Sequence, residues 1–256
     1  MMKSPLSGYL GGKSRLVRDI LARIPEHTCY CEPFAGAAWP LFAKEPSRVE
    51  VINDINGELV NLYRIVQCHL EEFVRQFKWI LTAREEFERQ QRTRPDTLTD
   101  IQRAASFYYR LKCSFGGKVV GQVFGTSATT PPRLNLLRIE EELSGAHLRL
   151  TRVLIEHRPY AQVIGQYDRP ETFFYLDPPY LGTENAYGKG VFCRDDFTAL
   201  AAQLEGIKGR FLLSLNDTSD VREVFRAFRI EAVRTRYTCG RDNDRQAGEV
   251  FISNYN

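Results

Sequence analysis

No stretch of this 256-residue chain approaches the ~18 consecutive apolar residues of a membrane-spanning helix. Its first residues show no charged-then-apolar leader. Both absences speak against a membrane protein and lead us to expect a cytoplasmic one. The six cysteines (29, 31, 68, 113, 193 and 239) form no C-x-x-C pair. The four histidines (27, 69, 147 and 157) make no spaced ligand set with them, so reduced thiols and no metal are expected. The formal charge of +3 is too small to imply a polyanionic partner by itself. Acid is missing in one place, however: from Arg103 to Arg138 six Lys/Arg stand without any Asp or Glu, a local basic stretch. Internal repeats and low-complexity tracts are lacking too. What is present is 43% hydrophobic content, ample for one large domain or two modest ones.

The rest of the chain is organised around Thr172-Phe173-Phe174-Tyr175-Leu176. These residues are apolar on both alternating faces, the pattern of a central strand buried on both sides of a sheet. Asp177-Pro178-Pro179-Tyr180 ends it. Two successive prolines cannot donate ladder hydrogen bonds, so the backbone leaves the sheet stiffly and the Pro178 carbonyl is left to accept an outside donor. A carboxylate, a bare carbonyl and an aromatic ring thus meet at the carboxyl end of a strand, the edge where open α/β sheets bind ligands. Taken alone, Asp-Pro could equally begin a plain turn.

Near the start, Gly11-Gly12-Lys13-Ser14 opens the helical pattern Leu16, Val17, Ile20, Leu21, Ile24. Exposed N–H groups and a lysine there suit an anionic ligand. A P-loop would need glycine at position 7, which is Ser7, and a feeding strand for which there is no room. Cys29 to Phe34 reads as a strand running into the small-residue turn Ala35-Gly36-Ala37-Ala38 and a helix with Trp39 and Leu41, a shape that admits a nucleoside-type cofactor. A second strand, Val49–Ile52, ends in Asn53-Asp54, at the spacing where an acid meets ribose hydroxyls. A cap for the following helix (Leu59 to Val66) is the alternative role for either residue.

Helical periodicity then dominates over 70–81, 85–91 and 101–111, with Arg94-Pro95-Asp96 as a break, and Phe115 to Pro132 reads as a loop or hairpin in the acid-free stretch. After Gly145 strand signals return at Arg152–Ile155, Phe211–Leu215, Ile230–Val233 and Glu249–Ile252, with helices at 197–204 and 221–228. Strands separated by helices indicate a mainly parallel α/β sheet. The polar run 237–247 leaves no room for a helix, so the last two strands should form an antiparallel edge hairpin. Residues 1–56 and 146–256 are expected to make the sheet domain, interrupted by a mostly helical insertion over 57–145.

In order and spacing these motifs resemble those of the Dam-type DNA adenine-N6 methyltransferases over nearly the whole chain. The matching pieces are Tyr9 with Gly11-Gly12-Lys13, Glu32-Pro33-Phe34-Ala35-Gly36-Ala37-Ala38, Asp54-Ile55-Asn56, the tetrad Asp177–Tyr180, Ser214-Leu215-Asn216-Asp217 and the late Glu249. Ala38 stands where that family usually has glycine. The resemblance implies a Rossmann-like methyltransferase sheet, S-adenosylmethionine as methyl donor and double-stranded DNA as partner, with the enzyme a monomer or a dimer on DNA. It assigns the cofactor to Tyr9, Gly11, Gly12, Lys13, Glu32, Phe34, Ala35, Gly36, Asp54 and Asp177. It implies that Asp177 and the Pro178 carbonyl accept the amino hydrogens of a flipped-out adenine, followed by Pro179 and by Tyr180 stacked on the base. The insertion would be the target-recognition segment, with Lys112, Lys118 and Arg133 on phosphates.

Three other functions compete with that one. An N4-cytosine methyltransferase shares the geometry but more often begins its tetrad with Ser. A P-loop hydrolase is disfavoured by Ser7. An inactive DNA-binding regulator would not need Asp177 and Tyr180 intact. In GATC-specific relatives a Tyr-Asn-Gly-Leu-like turn precedes a base-reading Arg. Here Phe115-Gly116-Gly117-Lys118-Val119-Val120 lacks that Asn and puts Val120 in the Arg position, so a site other than GATC, or relaxed specificity, is expected.

Overall fold

The computed structural model describes residues 4–6, 8–9, 13–131, 133–182, 190, 192–236 and 246–256. Five strands run parallel: β1 (Cys29–Glu32), β2 (Val49–Asn53), β3 (Val153–Glu156), β4 (Thr172–Leu176) and β5 (Arg210–Asn216). Two more, β6 (Arg229–Arg236) and β7 (Gln246–Ser253), complete a seven-stranded sheet of order β3-β2-β1-β4-β5-β7-β6. The later strand takes the inner place and pairs antiparallel with both β5 and β6. Burial explains why: Val250, Phe251 and Ile252 are all buried, whereas β6 carries Arg229 and Glu231 and suits a charged edge.

Alternation along β4 divides the core into two layers. Phe173 and Tyr175 enter one apolar cluster with residues of α1 (Val17–Leu21), α2 (Trp39–Ala43) and α3 (Gly57–Cys68). Phe174 and Leu176 enter the other, packed by α8 (Tyr160–Tyr167), α9 (Arg194–Glu205) and α10 (Ser219–Val224). The sheet is therefore covered on both faces, as a parallel sheet requires. The first layer continues without a break into α4 (Leu70–Arg75), α5 (Arg84–Arg92), α6 (Asp100–Cys113) and α7 (Ile139–Leu150), through Phe73, Phe87, Tyr108 and Leu143.

Two local expectations are corrected. The helix expected over 70–81 stops at Arg75. Beyond it the N–H groups of Phe77 and Lys78 bond three residues back, to Val74 and Arg75, so Lys78-Trp79-Ile80 winds down in turns. Gly145 lies inside α7, where the Ser144 hydroxyl bonds the Glu140 carbonyl at 2.7 Å while Leu143 and Ala146 are buried. The helix expected over 221–228 occupies 219–224, started by the Thr218 side chain on the Val221 N–H. The hairpin after α6 is present in reduced form, a single antiparallel bridge between Ser114 and Phe124. No helix among the described residues is long and apolar enough to cross a membrane.

Candidate active site

The loops leaving the carboxyl ends of β1, β2, β3 and β4 surround a cleft of about 580 Å³. Tyr9 and Lys13 close one side, Arg158, Tyr160 and Phe192 another, and Val119 and Val120 of the post-α6 hairpin a third. Beside the β1 loop, Phe34 stacks near Tyr160 at 5.0 Å and meets Phe192 edge-on at 5.8 Å, an apolar wall for a planar ligand.

The small-residue turn after β1 is fixed by β2. The Ala35 N–H donates to the Asn53 carbonyl at 2.8 Å and the Gly36 N–H to Asp54 Oδ2 at 3.0 Å. Asp54 Oδ1 accepts from the Asn56 N–H at 2.9 Å. Asp54 therefore organises the turn as well as lining the cleft, and burial pushes its carboxyl up from the ordinary range. The helix-capping role belongs to a different residue, Asn56, whose side chain accepts from Glu58 and Leu59. Asn53 instead ties Pro33 to Arg158, bonding the Pro33 carbonyl at 2.9 Å and both backbone groups of Arg158. Ala38 lies at φ +48°, the one non-glycine residue with positive φ among those described. A Cβ is disfavoured in that conformation, which accounts for glycine being usual there.

Glu32 is buried under the same turn, accepting from the Tyr30 hydroxyl at 2.7 Å and the Leu41 N–H at 2.9 Å. Burial pushes its carboxyl up to about 8, opposed by those two donors. Glu32, Asp54, Asp177 and Asp196 line the cleft, against Lys13 and Arg158 as its cationic residues, and with Glu32 held up to about 8 the three aspartates carry the negative charge. A ligand carrying positive charge fits this balance.

Asp177 sits where β4 ends, its side chain 20% exposed. Lys13 Nζ reaches Oδ1 at 3.1 Å and the Ser214 hydroxyl donates to the same oxygen at 3.1 Å. Among the described residues no side chain donates to Oδ2, and none donates to the Pro178 carbonyl. Burial raises the Asp177 carboxyl, and Lys13 and Ser214 counter it. The Lys13 ammonium also lies 3.4 Å from Glu249 Oε2, donates to the Tyr180 hydroxyl and stands 4.1 Å from the Tyr180 ring centroid. Lys13 thus lines the cleft with its charge turned toward the tetrad.

Of the other expected site residues, Tyr9, Phe34, Ala35, Gly36 and Pro179 line the cleft, and Pro178 is buried beside it. Gly11 and Gly12 lie outside the described residues. Lys118 and Arg133 are exposed. The guanidinium of Arg133 packs over Gly8. The expectation of a phosphate contact from Lys112 is corrected: the residue is 5% exposed, lies over the Tyr108 ring, and burial lowers its ammonium. An ammonium on an interior helix face cannot meet a phosphate at the surface. Sequence reasoning also missed Arg158, Tyr160, Phe192 and Asp196, which arrive with α8 and α9. The only available signal was their position just after strands or just before helices.

Comparison with known proteins follows the same residues. The family model for D12 class N6 adenine-specific DNA methyltransferases (MethyltransfD12) matches residues 9–239. The chain is 27% identical over 248 residues to the DNA adenine methylase of Escherichia coli (strain K12), covering 89% of this chain and 86% of the relative. It is 24% identical over 225 residues to the Type II methyltransferase M.CviBI of Paramecium bursaria Chlorella virus NC1A, covering 86% of each. The Type II methyltransferase M1.LlaDCHI of Lactococcus lactis subsp. cremoris is 25% identical over 283 aligned positions, covering 98% of this chain and 95% of the relative.

Proposed function

The chain belongs to the D12 class of N6 adenine-specific DNA methyltransferases, and we propose from its cleft how its residues divide the work. It is an enzyme that methylates adenine N6 in DNA. That assignment disfavours the N4-cytosine and inactive-regulator alternatives. S-adenosylmethionine, when bound, supplies the methyl group on its sulfonium. Asp54, Asp177 and Asp196, set against Lys13 and Arg158, give the cleft the negative balance that a cationic donor needs. The Phe34–Ala38 turn and Tyr160 would hold its nucleoside, with Tyr9 beside them.

The observation that carries the catalytic reading is the one-sided holding of Asp177. Both donors, Lys13 and Ser214, converge on Oδ1, so Oδ2 is available to an amino hydrogen of adenine. The Pro178 carbonyl takes the other. An exocyclic amine is a poor nucleophile because its lone pair is delocalised into the ring. Hydrogen-bonding both hydrogens draws that pair back onto nitrogen, a gain of positioning and directed electrostatics, and one of the two protons leaves as the nitrogen is methylated. Tyr180 stacks on the extruded base, since in a duplex the amino group is engaged in pairing. This requires its hydroxyl to leave Lys13 or its ring to act from the present position.

Residues 57–145 form the target-recognition segment, in which Lys118 and Arg133 contact phosphates. Val120 cannot donate the bidentate bonds that select guanine, which supports a site other than GATC. The enzyme acts in the cytoplasm on double-stranded DNA. Transfer of radiolabelled methyl to DNA, followed by digestion to nucleosides, tests the reading. N6-methyl-2′-deoxyadenosine is expected, and label in deoxycytidine alone would reject it. Sequencing the methylated DNA tests the target, where confinement to GATC would reject the reading of Val120.

A further inference from the structure

Glu249 is the one carboxylate in a strand segment that is otherwise apolar. Its neighbours Val250, Phe251 and Ile252 are buried, and Glu249 itself is 1% exposed. β7 could hold the sheet together without it, and an interior carboxylate is costly unless another group needs it. Register sets Glu249 opposite Asn216 of β5 and Val233 of β6, at the edge where β4 delivers the tetrad. From there its Oε2 lies 3.4 Å from Lys13 Nζ, and its carboxylate is also hydrogen-bonded with Tyr180. The first and last residues of the tetrad are thus both linked to Glu249, Asp177 through Lys13 and Tyr180 directly.

We propose that Glu249 is the positioning residue of this site: it pins the Lys13 ammonium against Asp177 Oδ1, and so keeps Asp177 Oδ2 turned to the substrate amine. The proposal rests on the reading of Asp177 as the acceptor of the amino hydrogen. The reason for a second carboxylate is electrostatic. A buried lysine facing Asp177 alone forms a closed one-to-one pair, free to slide between the two oxygens and to absorb the acceptor strength of both. Shared between two carboxylates, the ammonium is held at a fixed point and Asp177 is only half compensated. The charged and titratable groups around this point are Lys13 from the N-terminal segment, Glu32 from β1, Tyr175, Asp177 and Tyr180 from β4 and the turn after it, and Glu249 from β7. Ser214 and Asn216 of β5 are its neutral polar neighbours.

The test is single-turnover methyl transfer to DNA against pH for wild type and Glu249→Gln, with cofactor and DNA affinity and melting temperature measured alongside. The substitution is nearly isosteric. We expect a rate loss of about ten- to a hundredfold, typical of a misplaced reacting group, with both affinities within about threefold. The acid limb should move to lower pH, because Lys13 then compensates Asp177 alone. A purely structural role would lower the melting temperature and leave that limb in place. A wild-type rate with an unmoved limb overturns the proposal, and so does a loss confined to cofactor affinity. Should Glu249→Gln melt below the assay temperature, Lys13→Gln/Glu249→Gln, in which Asp177 keeps the Ser214 hydroxyl, replaces it. Its rate should equal that of Lys13→Gln alone if Glu249 acts through Lys13. A further tenfold loss in the double variant overturns the proposal. Failure of the underlying reading looks different: wild type itself then leaves DNA without N6-methyladenine.

Discussion

In the cleft, Lys13 holds Asp177 and Glu249 from opposite ends of the chain, with 3% of its own side chain exposed. In the helical insertion, apart from the half-buried Arg103–Glu58 pair, the charge pairs join near neighbours in sequence at the surface. Arg89 meets Glu86 at 2.6 Å, and Arg138 meets Glu141 at 3.1 Å. Exposed pairs of the second kind contribute little each. Removing one partner of a buried pair leaves a charge uncompensated and is costly. Single charge changes should therefore be decisive in the cleft, whereas in the insertion charges act only as a sum.

The sharpest way to break this contrast is Asp177→Ala. We expect a loss of at least about a hundredfold in methyl transfer with a folded protein, since Lys13 keeps Glu249 as its partner. More than about a tenth of wild-type activity would contradict an acceptor role. Gly117 couples the two regions. It sits at φ +64°, and a Cβ there would lie 1.7 Å from the Gly8 carbonyl oxygen. Gly117→Ala should cost about 1–3 kcal/mol in thermal melts and weaken cofactor binding in calorimetry by displacing Tyr9. Unchanged values in both would separate the hairpin from the cleft.

Within the insertion, replacing Lys118 and Arg133 by Gln should weaken binding to any DNA sequence and flatten the log–log salt dependence by roughly 0.9 per lost contact. Lys112→Gln, at an interior position, should leave that slope alone. A reduced slope there would mean that α6 opens on DNA.

A weaker effect is expected from pH. Glu32 is held up to about 8, and Asp54, Asp177 and Glu249 are raised as well. Each binds its proton more tightly folded than unfolded, so its contribution is present below the ordinary carboxylate range. For Glu32 it is lost as pH climbs from 4.5 through about 8. The cofactor-free protein should accordingly lose stability over that window, and a cationic cofactor should flatten the decline. Differential scanning calorimetry with and without S-adenosylmethionine measures both, and stability rising from pH 5 to 8 would oppose the assignment. The smallest expected change is a gain. Ala38→Gly relieves the left-handed backbone and should stabilise the protein by about 0.5–1 kcal/mol, read as a small rise in melting temperature.

The sequence exposed some of this and hid the rest for definable reasons. The doubly apolar run Thr172–Leu176 announced a central strand because burial on both faces leaves no other pattern. The order of small-residue turn, acidic strand end and Asp-Pro-Pro-Tyr was readable because each is local. Lys112 was misread because a helix wedged among other helices buries nearly every face, and a lysine stem packs over Tyr108 as readily as it reaches outward. Tyr160 and Phe192 went unnoticed because aromatic residues beside helix starts look like ordinary core. Glu249 could be matched by position, but its contact with Lys13 depends on a register that no local pattern encodes.

That register also sets a timetable. Because β7 lies between β5 and β6, β6 has no partner in the sheet until residues 246–253 arrive. A chain emerging from the ribosome can assemble β1 to β5, and even present Asp177 and Tyr180, while Glu249 is still inside the exit tunnel. The charged cluster is closed by the seventh strand of the sheet to be made. Catalytic competence would then wait on β7, so that a chain halted before it carries a cleft without the means to modify DNA.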